Sequence, residues 1–232
     1  MASKDHSNKT IDPRIFLLID FLIVLYVALD ALAQLLPPHY SPISQAESLL
    51  AVGPYGYVMT INFVNRGVFS LLFVYAFGKI LPELGAISRK FRLGLYAIGI
   101  WGVGALLLAA FPATGKTLAI HTVIGVIVLI AAPLAELSIS LRLKGTKLPE
   151  RTKKSALAIS VIAVLFTVFY WGIRPFFRHF SNSYSGLFER FLIGSIILWI
   201  AIVSYEIFLN LRTAKAIERL SGADQRLEDP KK

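Results

Sequence analysis

Asn62, Asn65 and Arg66 place three strongly polar side chains within one long apolar stretch of the sequence. Asn62 and Arg66 are four residues apart, so they share one face of a helix. A charged side chain at the centre of a membrane helix costs about 3 kcal/mol on insertion scales, so Arg66 needs a partner, water or a function. Asp30 lies at a similar depth in the preceding apolar stretch, and we expect an Asp30–Arg66 ion pair. This pair either fixes helix packing or belongs to a polar site for a head group or an ion.

His121 begins a stripe at helical spacing that continues through Gly125, Ala132 and Glu136. Small residues on one helix face favour close contact between helices, so we expect Gly125 and Ala132 to pack. His121 either makes a hydrogen bond near the membrane interface or acts as the titratable group of a site. No other apolar stretch contains a histidine, which argues against a bis-histidine haem. The chain has no cysteine, which excludes thiolate metal sites, and we expect neither a metal nor a cofactor.

Ser44, Glu47 and Ser48 lie in the segment that joins the first two apolar stretches. The two serines are one helical turn apart and stand beside the acid. A serine nucleophile needs a base within hydrogen-bond reach, and His121 could supply it. No G-x-S-x-G nucleophile elbow occurs in the sequence. A membrane enzyme acting on lipid head groups therefore stays open as an alternative.

Three further acids lie toward the other ends of the apolar stretches, namely Asp20, Glu136 and Glu206. Basic residues in the adjoining segments would neutralise them, but a proton or cation relay would use the same side chains. A small transporter or channel for an anion, a proton or a small solute is therefore a second alternative. Transporters often contain internal repeats or broken helices. Neither is clear here, although Pro133 could break the stretch that contains Glu136.

Six long apolar stretches carry these residues. The chain has 232 residues, of which 56% are hydrophobic and only 16% charged, which argues against an ordinary soluble domain. A membrane-spanning helix needs about 20 predominantly apolar residues. Six stretches qualify: 15–36, 57–79, 94–111, 118–142, 155–174 and 187–211. The sequence predicts an all-α bundle of six transmembrane helices over residues 15–211, with a segment 1–14 before it and a basic tail 212–232 after it.

The basic residues predict the orientation of this bundle. In the six-span arrangement nineteen Lys and Arg residues fall on one side and four on the other, with Arg66 inside the membrane. Because Lys and Arg concentrate in cytoplasmic loops, we expect both termini to be cytoplasmic. The net charge of +10 then reflects topology and contact with anionic lipids. We expect membrane lipids as partners, allow for partner membrane subunits, and expect no nucleic acid.

Short motifs in the chain resemble the domain-of-unknown-function family 998. They are Tyr40–Gln45 followed by Ser48–Leu49 and Ala51–Gly56, and Phe111–Pro112 followed nine residues later by His121. The resemblance runs from about residue 15 to 211 and implies a small polytopic membrane protein of bacteria or archaea with about six spans, located in the cell membrane. In the family the position of Glu47–Ser48 commonly reads Ser-Asp, so the acid comes one residue earlier here. The resemblance implies no reaction or substrate.

These observations favour an integral membrane protein without catalytic activity that interacts with lipids or serves as an accessory subunit. We expect an outward-facing polar pocket among the first, second and fourth helices for an anionic or phosphate-bearing head group. Its candidate residues are Asp30, Ser44, Glu47, Ser48, Asn62, Asn65, Arg66 and His121. A closed packing network is the alternative. The pocket hypothesis fails if apolar side chains seal Arg66 and His121 on all sides.

Overall fold

A computed structural model of the protein describes residues 11–85, 88–173 and 178–228. Within these ranges the regular structure is helical. The six long helices are α1 (Arg14–Leu35), α2 (Gly56–Ile80), α3 (Arg89–Ala110), α4 (Leu118–Ser140), α5 (Glu150–Val168) and α6 (Arg178–Glu228). Each of them contains a stretch long and apolar enough to cross a membrane. The predicted all-helical fold, consistent with a six-helix membrane bundle, is confirmed, and the orientation of its termini stays a prediction.

Prolines set two of the helix ends that the sequence predicts. Helix α1 ends at Leu35, just before the Pro37–Pro38 pair, and α3 ends at Ala110, just before Pro112. Proline lacks the backbone N–H that would continue a helix, and it also restricts the residue before it. Pro133, by contrast, lies inside α4 without ending that helix.

Helix α6 is longer than the apolar stretch that predicts it. The stretch covers residues 187–211, whereas the helix runs from Arg178 to Glu228. After residue 211 the sequence continues with Ala, Arg, Leu and Glu and contains no proline before residue 230. Because these residues favour helix, the backbone stays helical beyond the point where the apolar run ends.

The helices pack in a closed ring. Each helix contacts the next one along the chain, and α6 returns to pack against α1. Glycines allow the close approach of α3 and α4: a Cβ atom added at Gly104 would lie 2.1 Å from Val128 Cγ1. The same holds at Gly94, where an added Cβ would lie 2.6 Å from Ile139 Cγ1. Small residues therefore set the spacing of this helix pair.

Apolar side chains fill the interior of the ring and also cover its outside. Inside, the rings of Phe73 and Trp199 meet at 5.8 Å between centroids in a T-shaped contact. Outside, large apolar side chains such as Phe21, Tyr96 and Leu165 are more than 60% exposed. A continuous apolar outer surface of this kind marks contact with a membrane.

Residues 36–55 lie across one end of the bundle, which we call the loop end. This segment packs on the third turn of α6 through hydrogen bonds that connect distant parts of the chain. The Leu187 N–H donates to the Ile43 carbonyl oxygen at 2.9 Å, and the Ser185 hydroxyl donates to the Ser44 carbonyl oxygen at 2.8 Å. The loop is thus held against α6 through the carbonyl groups of Ile43 and Ser44, which lie outside the helices.

Candidate functional site

Glu47 is the centre of a buried polar network at the loop end. A short 3-10 helix, Glu47–Ala51, carries it into the bundle, where it is only 2% exposed. The Tyr26 hydroxyl of α1 donates a hydrogen bond to Glu47 Oε1. The Glu47 N–H donates to Glu189 Oε2 of α6 at 3.1 Å, and Arg66 Nη1 of α2 lies 3.9 Å from Glu47 Oε2. One loop residue therefore connects three helices, α1 and α2 through its carboxylate and α6 through its backbone N–H.

Arg66 is held between two aromatic rings and is 2% exposed. Its guanidinium carbon lies 4.9 Å from the ring centroid of Phe63 and 4.4 Å from that of Trp101. Cation–π contacts of this kind stabilise a desolvated cation. Arg66 Nε is buried and has no hydrogen-bond partner among the described residues. The charge is therefore fixed in place while one of its donors stays unused.

The predicted Asp30–Arg66 ion pair is wrong. Among the described residues the acid within 4.0 Å of Arg66 is Glu47. Asp30 instead accepts a hydrogen bond from Gln34 Nε2 at 2.5 Å, one turn further along α1. The physical reason is that the 36–55 loop descends between the helices, so that its carboxylate occupies the place next to Arg66 that a helix residue was expected to fill.

Asn62 and Asn65 join α2 to α1 through side-chain hydrogen bonds. Asn62 Nδ2 donates to the Tyr26 carbonyl oxygen at 3.1 Å, and Asn65 Nδ2 donates to the Leu22 carbonyl oxygen at 2.8 Å. These bonds satisfy α1 carbonyl groups and draw the two helices together. Both asparagines therefore have a packing role in place of the pocket role predicted for them.

A cavity of about 280 Å³ brings Arg66 and His121 together. It lies among α2, α4, α6 and the Glu47–Ala51 3-10 helix, with Leu108 of α3 and the aromatic pair Tyr170–Trp171 after α5 also in its wall, and we call it the Arg66 cavity. Its polar lining includes Glu47, Ser48, Arg66, His121 and Glu189. The predicted pocket among the first, second and fourth helices is thus displaced toward α6, and Asp30, Ser44, Asn62 and Asn65 do not line it.

His121 presents one ring nitrogen to a backbone partner. Its Nδ1 lies 2.7 Å from the Phe111 carbonyl oxygen, which can only accept, so Nδ1 carries the proton and Nε2 is left as an acceptor. Ser48 lines the same cavity but makes no hydrogen bond with His121 in the described part of the chain. The nucleophile–base contact that an enzyme would need is therefore not formed.

Two small residues predicted to pack behave differently. Ala132 is fully buried in the bundle. Gly125 lines the Arg66 cavity, and a Cβ added to it would meet no atom within 4 Å, so the expectation that it packs against a neighbouring helix is wrong. The absence of a side chain at this position keeps the cavity open.

On α4 and α6 the lining of the Arg66 cavity changes from polar to apolar with distance from the loop end, whereas Arg66 on α2 lies deep, near the level of Val128. Along α4 the lining passes from His121 to Val126 and Leu129, a rise of about 12 Å at 1.5 Å per residue. Along α6 it passes from Glu189 to Ile193 in the same direction. Polar groups beside an apolar wall in one cavity are the pattern that an amphiphilic molecule would match.

The acids toward the opposite end of the bundle do not form one cluster. Glu206 Oε1 lies 2.9 Å from Arg151 Nη2, so a basic residue neutralises it. Glu136 is fully buried, and neither of its carboxylate oxygens has a hydrogen-bond partner within the described ranges. The same is true of both carboxylate oxygens of Asp20. The expectation that basic residues neutralise all three is therefore wrong for Asp20 and Glu136, because the basic side chains do not reach these interior positions.

Comparison with known proteins adds a family and no function. No curated protein matches the chain, and neither does any solved structure. The family model described as Protein of unknown function (DUF998) matches residues 22–206, which include every lining residue of the Arg66 cavity. Because this match covers well over half of the 232 residues, the chain belongs to the DUF998 family.

Proposed function

We propose that this protein binds the polar head of a membrane amphiphile in the Arg66 cavity, as a lipid-interacting protein that does not break bonds. The observation that carries the proposal is the cavity itself. It gathers Glu47, Arg66, His121 and Glu189 around one space that also has an apolar wall. A head group placed among these polar groups would leave its chain against side chains such as Leu129.

The polar lining favours a head group that offers both hydrogen-bond donors and acceptors. Two carboxylates, Glu47 and Glu189, face the same space as the single guanidinium of Arg66. A simple anion, which the sequence favours, would meet both carboxylates there. Glu47 Oε2 and Arg66 Nε are buried without hydrogen-bond partners among the described residues. Because buried polar atoms are normally paired, a zwitterionic or hydroxylated head that donates to the first and accepts from the second fits best.

The positive-inside rule supports a location for this site. The six-span arrangement predicted from the sequence assigns nineteen basic residues to the side away from the loop end, so we infer that the loop end faces the outside of a bacterial or archaeal plasma membrane. The Arg66 cavity would then take its ligand from the outer leaflet.

Glycine substitutions test the proposal without removing the charged network. Gly125→Leu would fill the Arg66 cavity, since a side chain there meets open space, and Gly99→Leu is a matched control because Gly99 on α3 also has open space around it. The protein would be purified from membranes, and its retained lipids would be measured by native mass spectrometry. We expect Gly125→Leu to lower the retained amphiphile about tenfold, equivalent to about 1.4 kcal/mol, while Gly99→Leu retains the wild-type amount. Equal retention by both variants and the wild type would refute the proposal.

An enzyme acting on head groups is the second candidate, because Ser48, His121 and two acids line one cavity. Catalytic hydrogen bonds are often long before a substrate binds, so the missing Ser48–His121 bond does not exclude it. Incubation of the protein with mixed bacterial lipids, followed by product analysis, separates the two functions. Binding alone gives no new product, whereas an enzyme gives one that Ser48→Ala and His121→Gln both abolish.

A further inference from the structure

A second cavity, of about 450 Å³, opens between α1 and α6. We call it the α1–α6 groove. Asp30 and Arg190 line its loop-end part, and the rest of its wall is mainly apolar. Val27 and Leu198 on its edges are 58% and 50% exposed, so the groove faces the surroundings of the bundle.

The apolar part of the groove runs along the helices away from the loop end. On α1 it is lined by Ile23 and Val27, and on α6 by Ile197, Leu198 and Ala201. The distance along α6 from Arg190 to Ala201 is about 16 Å at 1.5 Å per residue. This is a long, narrow apolar surface with charged groups at one end only.

Asp30 and Arg190, which line the loop-end part of the groove together with Glu47, do not form a direct ion pair. No Asp30–Arg190 pair lies within the 4.0 Å that defines an ion pair among the described residues. Asp30 Oδ1 is buried without a hydrogen-bond partner, while Oδ2 accepts from Gln34. An acid and a base on facing helices therefore stand at the same mouth, each with an unused polar atom.

Arg190 is fixed in position by the loop. Its Nη1 donates to the Pro42 carbonyl oxygen at 3.0 Å, and its Nη2 donates to the Tyr40 hydroxyl at 2.6 Å. Its guanidinium carbon also lies 5.1 Å from the Tyr40 ring centroid. Arg190 Nε has no partner among the residues described. The side chain is held in one geometry while its Nε stays without a partner.

We propose that the α1–α6 groove binds one acyl chain of a bilayer phospholipid whose head group carries a primary ammonium. The lipid phosphate lies near Arg190, and the ammonium lies near Asp30. The acyl chain gains little free energy by leaving the bilayer for an equally apolar groove. Selectivity among lipids therefore depends on the charged groups Asp30 and Arg190 at the loop end of the groove. A primary ammonium has N–H donors for Asp30, whereas a trimethylated ammonium has none and a glycerol head has no positive charge.

This site is distinct from the Arg66 cavity, although Glu47 and Ile193 line both. The distinction matters for the test, because each cavity has its own glycine surrounded by open space. Gly194 lines the groove and has no atom within 4 Å of an added Cβ, as is the case for Gly125 in the Arg66 cavity. A leucine at either position would fill one cavity and leave the other unchanged.

The experiment reconstitutes the full chain in nanodiscs that contain equal amounts of phosphatidylethanolamine, phosphatidylcholine and phosphatidylglycerol with identical acyl chains. Lipids that stay bound after transfer to detergent are counted by native mass spectrometry. We expect phosphatidylethanolamine to be enriched about tenfold over phosphatidylcholine, as one charge-assisted hydrogen bond would give. Gly194→Leu should abolish this enrichment, and Gly99→Leu should leave it unchanged.

Asp30→Asn serves as a second variant that does not alter the shape of the groove. It should remove the preference for phosphatidylethanolamine while the total number of bound lipids stays the same. Equal binding of the three lipids by the wild type, or an enrichment that survives Gly194→Leu, would overturn the proposal. Gly125→Leu separates the two sites. If this variant retains the same lipids as the wild type, the Arg66 cavity is not a ligand site, while the phosphatidylethanolamine enrichment assigned to the α1–α6 groove is unaffected.

Discussion

The Glu47–Arg66 pair predicts a specific pattern of stability changes. Glu47→Gln keeps an oxygen that can accept from Tyr26 but leaves Arg66 buried without its anion. Removing one partner of a buried ion pair typically costs about 3–5 kcal/mol, because the other charge is left uncompensated. Coulomb's law gives a similar value, about 4 kcal/mol for charges 4 Å apart at an effective dielectric constant of 20. The measured Nη1–Oε2 separation is 3.9 Å.

The single variants Glu47→Gln and Arg66→Met should lower the free energy of unfolding by different amounts. A stranded carboxylate can take up a proton, whereas a stranded guanidinium stays charged. We therefore expect Glu47→Gln to lower the free energy of unfolding by about 3 kcal/mol and Arg66→Met to lower it less. The double variant should recover much of the loss.

The assay is a double-mutant cycle measured by reversible unfolding in mixed detergent micelles, followed by far-ultraviolet circular dichroism. We expect a coupling energy of about 2–3 kcal/mol between positions 47 and 66. A parallel cycle with Asp30→Asn and Arg66→Met is the control and should be additive within about 0.5 kcal/mol. Additive losses in the Glu47 cycle together with strong coupling in the Asp30 cycle would refute this account of the network and restore the pairing that the sequence favours.

Two other predictions concern the loop end. Gly186→Ala should destabilise the fold by about 1–3 kcal/mol through overpacking, because the added Cβ would lie 2.2 Å from the Gln45 carbonyl oxygen. The control Gly194→Ala on the same helix meets open space and should be neutral or slightly stabilising in the same unfolding assay. For topology, Thr114→Cys should react with a membrane-impermeant thiol reagent added to intact cells, and Lys144→Cys should react only after lysis. The reverse labelling pattern would invert the orientation, and the cysteine-free chain gives no background.

The helices could be predicted from the sequence because each depends on local properties. Apolar length identifies the spans, and the prolines at 37 and 112 identify two of their ends. The extension of α6 to Glu228 was missed because apolar length ends where the membrane core ends, whereas helix formation continues as long as the residues favour it. Hydropathy therefore predicts the spans better than it predicts the helices.

The partner of Arg66 could not be predicted in the same way. The position of a residue within a span estimates its depth, and this estimate placed Asp30 beside Arg66. Glu47 lies in a connecting segment, for which residue number gives no depth. Its burial depends on contacts with Tyr26 of α1 and Glu189 of α6, which are formed only when distant helices assemble. Neither Tyr26 nor Glu189 is predicted as a site residue, since a tyrosine within an apolar stretch and an acid near the start of one are both ordinary features.

Glu47 also determines how the two cavities relate to each other. With Ile193 it lines both the Arg66 cavity and the α1–α6 groove, so it forms part of the wall between them. Its hydrogen bonds to α1 and α6 hold together the same two helices that form the groove. A change at position 47 should therefore alter both cavities, whereas a change at Gly125 or Gly194 alters one. A loss of ligand binding in a Glu47 variant therefore does not show which cavity holds the ligand. The Gly125 and Gly194 variants are needed to distinguish the Arg66 cavity from the α1–α6 groove.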